Sequence, residues 1–94
     1  MNLKPMYRQW AKAHPNFMTP HIIRVAQGDD NMIVELSEGE GFDHEPLYGV
    51  SVLKYKGNGE FTTMTRGNDT DPDSKCFQDR KEADKHFAKV LARF

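Results

Sequence analysis

The run LYGVSVLKYKGNG, residues 47–59, settles what kind of domain this chain forms. Residues 47–56 are rich in aromatic and β-branched side chains, Pro46 precedes them, and Gly57-Asn58-Gly59 is the strongest hairpin signal in the chain. A strand followed by a tight reversal is therefore expected, with EFTTMT (60–65) as the returning partner. Side chains alternate across a strand, so Tyr48, Val50 and Val52 form one row while Leu47, Leu53 and Tyr55 form the other. Both rows are apolar, and both faces of the sheet need cover.

Upstream, HIIRVAQ (21–27) is a β-branched run that Pro20 leads into, and GDDN (28–31) has turn composition. A second strand over 31–37 alternates Met32, Val34 and Leu36 against Ile33, Glu35 and Ser37, so the two runs should pair as a hairpin. Further upstream, Pro5 suits a first helical turn, and Met6, Trp10 and Ala13 follow at helical spacing until His14-Pro15, which predicts a short helix over 5–13. Downstream, RGNDTDPDS (66–74) has no apolar residue and reads as a loop, with 75–78 as a short edge strand or extended lead-in.

Asp79 with Glu82 three residues on is a capping-box pattern that opens a helix over 80–93. Ala83, Phe87, Val90, Leu91 and Phe94 make one apolar stripe on it, opposite Lys81, Lys85, Lys89 and Arg93. The expected fold is a single α+β domain over 1–94: an antiparallel β-meander of three to five strands, a short N-terminal helix, and a C-terminal amphipathic helix packed on one sheet face in two layers. The second face is covered either by the first helix, anchored by Met6 and Trp10, or by another protein.

Composition narrows the function. A chain of 94 residues buries only about 60–65% of its unfolded surface, which leaves little apolar material to line a deep substrate cavity. The 13 Lys and Arg nearly balance the 14 Asp and Glu, so no global field steers the chain to nucleic acid or an anionic membrane. Cys76 is the only cysteine, which excludes an internal disulfide and a thiolate zinc site and suits a reducing, cytoplasmic setting. Lys4, Arg8 and Lys12 interrupt the N-terminal apolar residues, so no signal peptide or membrane span is read there.

The loop EGEGFDHEP (38–46) gathers Glu38, Glu40, Asp43, His44 and Glu45, but without fixed ligand spacing. Gly39 and Gly41 are explained as residues of positive φ in a strand connection. Phe42 stands apart, because a large apolar group among charges must fold back or meet a partner. Asp69, Asp71 and Asp73 have the spacing of a calcium loop, but Ser74 stands where the turn needs Gly and Arg80 where the bidentate Glu should be. His14, His21, His44 and His86 show no metal-ligand pairing, and no Ser, Thr or Cys has a nucleophile's context. Cys76 reads as a small buried hydrophobe and His86 as a solvated side chain.

Neither catalytic residue, cofactor, metal nor small-molecule substrate is expected. The leading expectation is a non-catalytic protein-binding or regulatory module that meets another protein, or a second copy of itself, through Phe42, His44, Leu47, Leu53 and Tyr55. An enzyme would have only His44 and a loop carboxylate as acid and base.

Two stretches support an alternative. GFDHEPLYGVSV (41–52) resembles the Gly-Pro-x-His loop of the double-stranded-RNA-binding domain, and DRKEADK (79–85) resembles the Lys-Lys-x-Ala-Lys start of that family's second helix. The resemblance implies that Gln9 and His44 face a minor groove while Arg80, Lys81 and Lys85 hold phosphates. Phe42 replaces the loop proline, Asp84 replaces a lysine of the cluster, and HIIRVAQGDDN inserts about one strand of extra chain, on a usual strand length of five or six residues.

Overall fold

A computed structural model describes residues 2–15, 18–29, 31–63 and 74–93. The elements in chain order are α1 (Lys4–Ala13), β1 (His21–Gln27), β2 (Met32–Glu40), β3 (Pro46–Gly57), β4 (Glu60–Thr63), β5 (Lys75–Phe77) and α2 (Arg80–Leu91). The α+β class, the antiparallel meander and both helices agree with the sequence reading, and boundaries differ by a few residues at most. The expected continuation of β4 to residue 65 and the acidic run Asp69, Asp71 and Asp73 lie outside the described residues.

All pairings are antiparallel, in the order β1-β2-β3-β4, and β5 joins the same edge of β3 that β4 uses. Tyr55 pairs with Phe61 near the β4 end of that edge and Gly49 with Cys76 near the β5 end. Between them the Val52 amide donates to the Ser74 hydroxyl at 3.3 Å, so a side chain serves where neither strand reaches. The β3–β4 reversal turns on Asn58 and Gly59, at φ 56° and 75°, the two consecutive positive values a type I′ turn requires.

The sheet lies between two helices, and each face has its own core. On one face Met32, Val34, Leu36, Val50 and Val52 meet Ala83, Phe87 and Val90 of α2, as the apolar stripe predicts. Asp79 caps this helix by accepting the Lys81 amide at 3.1 Å, but Glu82 does not close the reciprocal half of the capping box. A register shift between Ile22 and Arg24 lets both Ile23 and Arg24 lean to this side, where the Arg24 guanidinium stands 4.6 Å from the Phe87 ring centre.

On the other face Val25, Ile33, Leu53 and Phe61 meet Leu3, Tyr7 and Ala11 of the α1 segment. The two-layer expectation is thus corrected to three layers, and the second face is covered within one copy of the chain. The anchoring stripe is Leu3-Tyr7-Ala11, whereas Met6 and Trp10 are half-buried at its flank and Ala13 is exposed. No side chain caps the start of α1, but the Leu3 amide donates to Gln27 Oε1 of β1 at 2.7 Å, so the sheet itself fixes the helix.

Candidate functional site

Two places stand out: the tip of the β2–β3 hairpin and a cavity between α1 and the sheet. At the tip the Gly41 amide donates to the Glu45 carbonyl at 2.8 Å and the His44 amide to the Gly41 carbonyl at 3.2 Å. Glu45 Oε2 takes the Asp43 amide at 2.9 Å, and Glu40 Oε2 lies 3.0 Å from His44 Nδ1. The loop is a closed hairpin turn, which answers most of its charge as hydrogen-bonding scaffold. Positive φ falls on His44 (60°), not on Gly39 or Gly41 as the sequence reading held. Phe42 extends from this turn at 93% exposure, the one large apolar side chain so exposed among the described residues.

Of the other expected contact residues, His44 is exposed in the same turn as Phe42, and Leu47, paired with Gly39 just beyond that turn, is half-buried. Leu53 and Tyr55 are not part of that surface. Leu53 is only 3% exposed under α1, and Tyr55 packs in the same core against Phe61, ring centres 5.2 Å apart. Of the two covers the sequence allows for this row, the first helix supplies it, through Leu3, Tyr7 and Ala11 rather than through Met6 and Trp10.

The residues expected from the RNA-binding resemblance do not assemble. Gln9 is exposed on α1, Lys81 and Lys85 are exposed on α2, and those helices lie on opposite faces of the sheet. Arg80 pairs with Asp84 at 3.2 Å, within its own helix. Cys76, expected to be buried, is exposed on β5, while His86 is half-buried with its ring 5.3 Å from that of Phe77.

The cavity was not foreseen. It measures about 300 Å³ and is lined by Tyr7, Trp10, Ala11 and His14 of the first helix and its cap, by the crossing segment at Thr19 and Pro20, and by Glu35, Ser51 and Leu53 of the sheet. Its volume is at the lower end of the range for small-ligand pockets. Glu35 sits at the middle of β2, paired with Val25 on one side and Ser51 on the other, and is 5% exposed. Burial raises its carboxyl pKa above the usual glutamate range, and the Tyr7 hydroxyl, which donates to it, and the Arg8 charge only partly oppose this. The Tyr7 phenol is pushed far up by its own burial and by Glu35, so it stays a donor.

Trp10 and His14 form the aromatic wall, their rings stacked at 4.6 Å with 15° between planes. The His14 ring is set by Nδ1, 3.1 Å from the Trp10 carbonyl. The rear of this face is fixed by Ser37, whose hydroxyl donates to Thr19 Oγ1 at 2.8 Å in full burial. The sequence contained one signal for Glu35: it shares a row with Ile33, opposite the apolar Leu53 and Tyr55 row, so a covered face would bury it.

No three His, Cys, Asp or Glu side chains converge as a metal site among the described residues, and none of their helices is long and apolar enough to cross a membrane. No protein-family model matches the chain, and neither a search of curated proteins nor one of solved structures finds a match.

Proposed function

We propose that this protein is a small binding module whose contact point with another protein is the β2–β3 hairpin tip. The observation that carries the reading is Phe42, fully presented to solvent by a turn that its neighbours' hydrogen bonds hold in one shape. Such pre-organisation lowers the ordering cost of binding. Glu38, Glu40 and Asp43 are exposed on the same hairpin as Phe42, so the fitting partner offers an apolar pocket with a basic rim. The face formed by Leu53 and Tyr55 is not part of this reading, because α1 covers it.

Phe42 makes a clean test, since a side chain so exposed contributes little to folding. A photo-crosslinking phenylalanine analogue at position 42, introduced in the native cell, should give discrete adducts that are absent when the same group replaces Lys56 on the distant end of β3. Phe42→Ala should weaken the recovered complex roughly tenfold to a hundredfold, the value of burying one phenyl group. Sedimentation velocity of wild type and Phe42→Asp then separates self-association from a different partner. Equal adducts from both positions, together with a concentration-independent monomer, would dispose of the reading.

A further inference from the structure

We propose that the cavity beneath α1 binds a small primary ammonium ion with an apolar body, and that Glu35 is its counter-charge. The observation is an imbalance. A buried carboxylate is costly unless a cation meets it at contact distance. Glu35 takes part in no ion pair among the described residues, where its partner is the Tyr7 hydroxyl and no cation is in contact with it. Arg8 acts on it only through space, from an exposed position on α1.

The remaining walls supply what such a guest needs. Tyr7 and Trp10 present aromatic rings, which attract a cation to their faces. Ser51, paired across from Glu35 on β3, adds a hydroxyl beside the carboxylate, and Leu53 offers apolar contact for the body of the ligand. An ammonium group with three donors can satisfy Glu35 and Ser51 together, which a neutral alcohol of the same shape does with neither the charge nor the donor count. The cavity's volume of about 300 Å³ limits the guest to a small molecule.

Trp10 is the chain's single tryptophan, so its fluorescence reports directly on the cavity. Benzylamine should give a saturable change, with amide shifts centred on Tyr7, Trp10 and Ser51 in two-dimensional NMR spectra. Benzyl alcohol, its neutral analogue, should bind at least about tenfold more weakly, as expected for loss of a charge-assisted contact. Glu35→Gln keeps the side chain's shape and should erase the preference, leaving both probes equally weak. Should that variant fail to fold, the wild-type preference for amine over alcohol decides the matter alone. Absence of saturable benzylamine binding, equal affinity for the two probes, or an undiminished preference in a folded Glu35→Gln protein would overturn the proposal.

Discussion

Gly39 is fixed by a neighbour, not by its own torsion angle. The chain between α1 and β1 crosses the sheet here, and a Cβ at Gly39 would collide with the Met18 carbonyl. Gly49, the partner of Ser37 on β3, faces Thr19 Oγ1 and Ser37 Oγ, which a Cβ would approach to 3.0 and 3.3 Å. Gly41 differs, because a Cβ there would meet only the flexible Glu45 side chain. Gly39→Ala should therefore cost about 1–3 kcal/mol in urea denaturation, the range for overpacking against fixed atoms, while Gly41→Ala should cost well below that. Equal effects would mean that the crossing segment gives way. A sequence reading finds the glycine but not its reason, since Met18 is far from Gly39 along the chain.

At the scale of the element, α1 is the least self-sufficient part. Ten residues form a marginal helix in water, so packing supplies its stability. The stripe Leu3-Tyr7-Ala11 carries that packing, and Leu3 is fully buried whereas Met6 is only half-buried. Leu3→Ala should cost about 2–5 kcal/mol and Met6→Ala clearly less, measured by chemical denaturation with unchanged m-value. The reverse ranking would restore Met6 and Trp10 as the anchors. The sequence shows that a helix forms here; it does not fix which side turns inward, because Leu3, Met6, Tyr7 and Trp10 make apolar groups available on two adjoining stripes. That rotation decides whether the second sheet face is covered. Helix α2 shows the opposite case, with one stripe and a lysine row behind it, and its orientation was legible.

For the whole molecule, the sheet has two closed cores, and Glu35 is the buried carboxyl side chain at one of them among the described residues. Its raised pKa has a thermodynamic sign. Below the ordinary value of 4.5 the group is protonated both folded and unfolded, so it imposes no penalty. As pH rises above that value the unfolded chain releases the proton first, the folded state holds it, and stability falls until the folded carboxyl has also titrated. The stability of wild type relative to Glu35→Gln should thus decline as pH rises from about 4.5, with Tyr7 and Arg8 as the facing polar groups common to both proteins. A difference that stays flat with pH would show that the carboxyl is not perturbed.

By itself the sequence determined the elements and their order, because turns, strands and caps arise from neighbours: Gly57-Asn58-Gly59 reverses the chain, alternation defines the strands, and Asp79 starts α2. It also singled out Phe42, because a lone large apolar group among charges is a local contrast. Only the tertiary structure decided that α1 closes the second face, that Leu53 is core, that Gln9 and Lys81 stand on opposite sides, and that Glu35 faces a cavity. Each of these depends on how one segment rotates and docks against residues far along the chain, and local periodicity carries no information about that choice.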